Sequence, residues 1–131
     1  MREYKFRAWN DFFKEMYYFD FNTNIEVRNG SLWIICKEGS VSVNSPSIKL
    51  MQYIERKDKH KKEIYEGDIV LYDRNIHEDI DKQKFEVIWM QDGYCLRELQ
   101  HKYILDGIWW EMTEKIGNIY DNPELLKEGN V

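Results

Sequence analysis

The sequence predicts a mostly β protein of the α+β class, and three observations lead to that prediction. Ala8 is the only alanine whereas isoleucine occurs fourteen times, so the best helix former is almost absent and a β-branched residue is abundant. Aromatic residues make up 15% of the chain, and large rings suit the half-buried surface of a sheet. Several short segments alternate apolar with polar residues and end at turn-forming pairs.

The first part of the chain reads as a series of short strands. Residues 3–9 alternate with a period of two, and the ring-rich residues 15–21 follow a turn at Asn10-Asp11, which predicts an antiparallel hairpin. Three further strands are predicted at residues 25–28, 32–36 and 41–43. Asn29-Gly30 predicts a two-residue type I′ turn, because both residues tolerate positive φ.

Residues 50–72 combine strands with charged turns. Residues 50–53 predict a strand, the charged run 56–62 passes through solvent, and residues 63–65 return to the sheet. Gly67 is the residue predicted to need positive φ, and Asp68 can bond backbone N–H groups at that turn before the next strand at 69–72. Turn geometry alone therefore accounts for this segment.

The last part predicts a small meander or barrel. Residues 73–84 are polar and predict a long exposed loop. Strands are predicted at residues 85–90, 94–99, around Trp109, Trp110 and Met112, and at 116–120. Asn122 is predicted to cap a short terminal helix whose first position suits Pro123.

Three blocks of sequence carry a family resemblance: REYKFRAW at residues 2–9, LMQYIERKDKHKKEIYEGDIV at 50–70 and EKIGNIYDNPELL at 114–126. They resemble the YopX family of small proteins encoded by phages and prophages of Gram-positive bacteria. The resemblance implies an N-terminal α+β subdomain over residues 1–49 and a C-terminal β-barrel-like subdomain over 50–131. Since no flexible linker separates the two, one compact unit is expected. It implies no activity.

The sequence departs from the family pattern at two positions where relatives carry glycine. Glu55-Arg56 stands where Gly-Leu is common, and His60-Lys61 replaces a typical Asn-Gly. A residue other than glycine in the left-handed region costs about 1 kcal/mol, so this hairpin is expected to be longer or looser than in the family.

Charge and composition limit the function classes. The formal net charge is −5, which disfavours non-specific nucleic-acid binding. The N-terminal residues lack the apolar run of a signal peptide, and no stretch is long enough to span a membrane, so a soluble protein in the cytoplasm of a host bacterial cell is expected. Cys36 and Cys95 lack metal-ligand spacing and are expected to be reduced and buried.

Catalytic and metal sites find little support in the residues. His77, Glu78, Asp79 and Asp81 include metal-binding side chains, but their spacing matches no known ion loop and reads better as a solvated acidic loop. The serines lie in turn-rich sequence without a nucleophile motif, and the histidines have polar neighbours. No catalytic residue, metal or cofactor is predicted.

Two candidate interfaces remain. A basic cluster can contact a phosphate backbone, although a solvated hairpin tip is the simpler interpretation; it comprises Arg56, Lys57, Lys59, Lys61 and Lys62. Trp109-Trp110 would place one ring away from the core if the strand were regular, and such a ring suits an interface or intrachain packing.

We therefore expect a non-enzymatic phage or prophage accessory protein that acts through protein contacts. A homo-oligomer is the first expected assembly, formed through a sheet surface or edge, and a host or phage protein is a further candidate partner. The alternative function is nucleic-acid binding through residues 56–62.

Overall fold

The computed structural model describes residues 5–20, 25–36, 39–72 and 83–126, apart from the side chains of Asp20 and Cys36. This part of the chain contains twelve strands and two short 3-10 helices, Trp110–Met112 and Pro123–Leu126. Two compact units are present, Met1–Tyr53 and Ile54–Val131. The prediction of an α+β fold with an N-terminal α+β subdomain is wrong, because the described residues of the first unit form strands and turns only.

The reason lies in the residues of the first unit. Short alternating segments broken by Asn, Gly, Ser and Pro satisfy the strand period of two, and none is long enough to form an amphipathic helical stripe. The α component came from the family resemblance, whereas the strand pattern came from the residues themselves.

The first unit contains two sheets. The strands β1 (Lys5–Asn10) and β2 (Glu15–Asp20) form the predicted antiparallel hairpin, and β1 also pairs with β6 (Ile48–Lys57). The second sheet has three antiparallel strands: β3 (Ile25–Arg28), β4 (Ser31–Cys36) and β5 (Gly39–Ser42). A buried apolar cluster joins residues of both sheets, namely Ala8, Phe19, Ile34 and Ile48.

The turn between β3 and β4 confirms the type I′ prediction. Asn29 has a φ of +50° and Gly30 a φ of +79°, and Arg28 lies opposite Ser31 across a loop of two residues.

The second unit is built on a five-stranded antiparallel sheet with the order β11-β10-β9-β8-β12. Its strands are β8 (Asp68–Tyr72), β9 (Gln83–Met90), β10 (Gly93–Glu98), β11 (Ile104–Leu105) and β12 (Glu114–Asn118). The short strand β7 (Glu63–Tyr65) is hydrogen-bonded to β6, and both belong to the four-stranded sheet with the order β2-β1-β6-β7. The five-stranded sheet forms a half-barrel, which is the part of the barrel prediction that the structure supports.

The core of the second unit is a single apolar cluster. Its buried members are Ile54, Ile64, Val70, Phe85, Val87, Leu96, Leu105 and Trp110. Inward residues alternate along β9, where Phe85 and Val87 are buried while Glu86 and Ile88 are partly exposed. The predicted loop at residues 73–84 lies outside the described residues up to position 82.

Candidate functional site

The five basic residues predicted as a nucleic-acid contact lie between the end of a strand and the exposed turn that follows it. Strand β6 extends through Lys57, so Arg56 and Lys57 belong to a strand rather than to the solvent loop that the sequence predicted. Lys59, Lys61 and Lys62 follow in the turn that leads to β7. All five side chains are exposed. We call residues 56–62 the basic turn.

A buried carboxylate anchors the basic turn. Asp58 is 2% exposed, and its Oδ1 accepts hydrogen bonds from the backbone N of His60 at 2.8 Å and of Lys62 at 2.9 Å. Its Oδ2 accepts a third from the backbone N of Lys115 in β12, at 2.8 Å. Two backbone bonds close the turn itself, from Asp58 N to Lys62 O and from Lys61 N to Asp58 O. One side chain therefore holds both the turn and its attachment to β12.

The environment of Asp58 favours its charged form. Burial alone raises the pKa of this carboxyl, but the N–H donors of Lys115, Lys62 and His60 outweigh burial and leave the pKa below its usual value. Asp58 is a stabilising anion that the chain surrounds with its own donors.

The cations of the basic turn differ in the ion pairs and hydrogen bonds that they form. Lys59 Nζ lies 3.2 Å from a carboxylate oxygen of Glu114, and His60 Nε2 lies 3.8 Å from the other. Arg56 donates to the backbone oxygen of Glu55 at 3.1 Å. Three lysines form no ion pair within the described residues, and these are Lys57, Lys61 and Lys62. The turn thus presents several cations to solvent from a fixed backbone.

Two residues in or next to the basic turn adopt the left-handed backbone conformation that glycine favours. Glu55 has a φ of +64° and Lys61 a φ of +65°. L-residues in this left-handed region lose roughly 1 kcal/mol relative to glycine. Glycine would therefore suit the backbone at both positions better than the residues present.

The turn at Gly67-Asp68 is internal to the scaffold. Gly67 has a φ of +84°. Asp68 is fully buried, and its Oδ2 accepts from the backbone N of Tyr65 at 2.8 Å and lies 3.2 Å from Lys115 Nζ. Lys115 Nζ also donates to the backbone oxygen of Glu63 at 3.1 Å and lies 5.8 Å from the centre of the Tyr65 ring. The charge of Asp68 is therefore engaged in a largely buried ion pair with Lys115.

The Asn118–Pro123 segment lies directly beside that turn. Asn118 is opposite Asp68 in the pairing of β12 with β8, and the backbone N of Ile119 donates to Gly67 O at 2.9 Å. The side-chain oxygen of Asn122 accepts from the backbone N of Asn118 at 3.1 Å, and Pro123 begins the 3-10 helix. The two family segments therefore form one continuous structural unit.

The side chain of Asn122 restricts its neighbour Gly117. A Cβ on Gly117 would lie 2.5 Å from Asn122 Oδ1 and 2.9 Å from Leu125 Cδ1. Only a glycine allows the terminal 3-10 helix to pack this closely on β12.

The strand predicted around Trp109 and Trp110 is wrong. Trp110 begins a 3-10 helix, is 9% exposed and belongs to the core cluster, whereas Trp109 is 57% exposed. The two adjacent rings still lie in different environments, Trp110 in the core and Trp109 in solvent, although the backbone here is not a strand. Trp109 is the member of the pair that a partner could contact.

The remaining candidate groups are described only in part. His77, Glu78, Asp79 and Asp81 lie outside the described residues. Among the residues that the structure does describe, no group of three or more His, Cys, Asp or Glu side chains could hold a metal ion. Cys95 is buried in β10. Burial is the main cause that raises the pKa of its thiol, and the nearby negative charge of Asp106 is a smaller one. No described helix is long and apolar enough to cross a membrane.

Sequence reasoning missed the groups that organise this region. Asp58, Lys115 and Glu98 were not predicted as structural residues. Glu98 is 3% exposed and accepts from the backbone N of Gln100 at 2.8 Å and of His101. An acidic residue followed within four positions by exposed polar residues in a tight turn was the available signal for Asp58 and Glu98.

Comparison with known proteins identifies one family. The model of the family described as "YopX protein" matches residues 5–127. Among solved structures, the chain is similar to protein EF1440 from Enterococcus faecalis, with 25% identity, a TM-score of 0.62, and coverage of 95% of this chain and 98% of that one. It is also similar in fold to yopX from Bacillus subtilis, with 20% identity, a TM-score of 0.60, and coverage of 94% and 98%. No curated protein matches the sequence.

Proposed function

The chain belongs to the YopX family, and on that premise we propose that it is a non-enzymatic accessory protein of a phage or prophage that acts through protein contacts, including contacts between its own copies. The observation that carries the proposal is the contrast between its ionisable and its apolar side chains. The buried carboxylates bond the chain's own backbone, whereas many large apolar side chains are exposed.

The ionisable groups of the family segments support a scaffold role. Asp58 accepts three backbone N–H bonds, and Asp68 is buried against Lys115. Catalytic carboxylates need access to a substrate and a pKa matched to their task. A carboxylate held in its charged form by backbone donors is instead suited to fixing a turn.

The exposed apolar side chains support protein contacts. Phe12 and Phe13 occupy the tip of the β1–β2 hairpin with exposed fractions of 77% and 49%, and their rings pack edge to face at 5.0 Å. Val27 is 71% exposed on a strand, and Trp109 is 57% exposed. Aromatic residues of this kind are enriched among the residues that dominate protein interfaces.

The test is the mass of the purified protein in solution. Light scattering after size-exclusion chromatography, run from about 1 µM to about 500 µM, covers the range of weak protein interfaces. We expect the average mass to rise with concentration above that of one chain. A strict monomer throughout would count against self-association.

The exposed cations of the basic turn favour a second candidate function, the binding of nucleic acid. The turn is fixed by Asp58, and Lys57, Lys61 and Lys62 face solvent without an ion pair among the described residues. Cations on a fixed backbone can follow phosphates, with an affinity that falls as salt rises. The net charge of −5 opposes such binding elsewhere on the molecule.

Fluorescence anisotropy with labelled single-stranded DNA and RNA at low salt tests this candidate. Replacing Arg56, Lys57, Lys61 and Lys62 with serine is expected to abolish a salt-sensitive affinity. A control in which the three lysines become arginine keeps the charge and is expected to retain it. Absence of any affinity for the unmodified protein would eliminate the idea.

A further inference from the structure

The three-stranded sheet ends at β3, and we infer that this edge pairs antiparallel with β3 of a second copy of the chain across a two-fold axis. The inference rests on the self-association proposed above and identifies the surface that carries it. In the part of the chain that the structure describes, β3 pairs with β4 alone. Edge strands present backbone N–H and C=O groups that a strand of another chain can bond.

The Asn29-Gly30 turn determines which backbone groups face the open edge. Because the loop has two residues, the flanking pair Arg28 and Ser31 exchange both of their hydrogen bonds. The direction of the backbone N–H and C=O groups alternates from residue to residue along a strand, so those of Glu26 also face β4. The N–H and C=O of Val27 therefore point away from β4, toward solvent.

Val27 is the natural centre of a two-fold pairing. An axis perpendicular to the sheet can place Val27 opposite Val27 of the second copy, where each N–H donates to the other C=O. The Val27 side chain is 71% exposed in the single chain. Pairing brings the two isopropyl groups together and removes apolar surface from water.

The charges of β3 complement themselves in this register. Glu26 lies opposite Arg28 of the second copy, and Arg28 lies opposite Glu26 of that copy. These are non-hydrogen-bonded pairs, in which cross-strand side chains approach most closely. Strand edges often carry charge that prevents association, but opposite signs two residues apart attract an identical strand instead of repelling it.

The single chain already shows that the two side chains fit each other. Glu26 and Arg28 form a two-contact ion pair, with Arg28 Nε 3.1 Å from Oε1 and Nη2 3.1 Å from Oε2 of Glu26. Pairing of two copies exchanges each internal ion pair for one between copies; Arg28 then also leaves Ser40 Oγ, to which its Nη1 donates at 3.0 Å, and the Trp33 ring, whose centre lies 5.3 Å from its Cζ. A four-residue strand buries a small area, which gives a weak and concentration-dependent dimer.

Charge exchange tests the register. Glu26→Arg alone and Arg28→Glu alone each place like charges opposite one another at both pairs, and each variant is expected to weaken self-association about tenfold. An equimolar mixture of the two single variants is expected to associate, because one strand then carries two positive charges and the other two negative charges. The double variant, with both charges exchanged, is expected to associate like the unmodified chain.

Val27→Pro tests the backbone bonds. It removes the outward N–H but none of the bonds to β4, and proline is tolerated at such edge positions. We expect it to lower self-association while the far-UV circular dichroism spectrum stays unchanged. The masses of all variants are measured by the same light-scattering series.

The outcomes separate this edge from the broader proposal. If the unmodified chain and all variants associate equally well, the assignment of the interface to the β3 edge is wrong, although the chain does self-associate. If the mixture of single variants stays monomeric while the unmodified chain dimerises, the register is wrong. An unmodified chain that is monomeric throughout overturns the edge and the self-association together.

Discussion

Replacing Asp58 with asparagine is expected to destabilise the protein by about 1.5–3 kcal/mol, the range for one lost bond to a charged group. The two oxygens of Asp58 accept three backbone N–H bonds at 2.8, 2.9 and 2.8 Å. An amide has only one accepting oxygen, so either Lys115 or the pair His60 and Lys62 must lose its acceptor. The magnitude is large because Asp58 is 2% exposed and water cannot easily replace the carboxylate.

The effect is expected to depend on pH in a defined direction. Because the folded protein lowers the pKa of Asp58 below its ordinary value of 3.8, the unfolded chain binds the proton more readily. The contribution of Asp58 is therefore complete above the unfolded pKa and is lost as pH falls through the folded one. The difference in the free energy of unfolding between the unmodified chain and Asp58→Asn should be constant near neutral pH. It should become smaller below pH 3.8.

Urea unfolding followed by tryptophan fluorescence measures both quantities. Asp11→Asn is the matched control, because Asp11 also lies in a turn and bonds Lys14 Nζ at 2.8 Å, but its side chain is 59% exposed. Exposed pairs contribute little, so the control is expected to leave the unfolding midpoint unchanged. An Asp58→Asn midpoint equal to that of the unmodified chain, or a gap that does not change in acid, would refute the reasoning.

Three further predictions follow from individual residues. Glu55→Gly and Lys61→Gly, which relieve φ values of +64° and +65°, are each expected to raise the free energy of unfolding by about 0.5–1 kcal/mol, measured by urea midpoints. Gly117→Ala is expected to cost about 1–3 kcal/mol, because its Cβ would lie 2.5 Å from Asn122 Oδ1; an unchanged midpoint would contradict the packing. Cys95 is expected to resist thiol reagents at neutral pH until the protein unfolds, because burial and, to a smaller extent, the charge of Asp106 raise the pKa of its thiol. Mass spectrometry of the modified peptide checks this.

Local sequence pattern was sufficient for most of the strands. Alternation identified β1 and β9, a run of aromatic residues identified β2, and Asn29-Gly30 identified a turn whose backbone needs no distant contact to form. Gly67 could be recognised for the same reason, because positive φ is a property of one residue. These features depend on neighbours within a few positions of the chain.

Features that depend on distant residues could not be read in this way. Asp58 stands among cations and looks solvated, yet it is 2% exposed and accepts a hydrogen bond from the backbone N of Lys115, 57 positions later. The burial of Trp110 depends on a 3-10 turn that joins the core, which adjacent aromatic residues alone do not indicate. The two-residue strand β11 is too short to show any alternation.

The basic turn also has a use that does not depend on its charge. Asp58 bonds main-chain amides, so the outward side chains at Arg56, Lys57 and Lys62 contribute little to folding, whereas Lys61 is restricted by its φ of +65°. Randomised libraries at the three unrestricted sites should express as well as the parent. The small protein would then serve as a display scaffold, in which one buried aspartate preserves the loop while its recognition surface is rewritten.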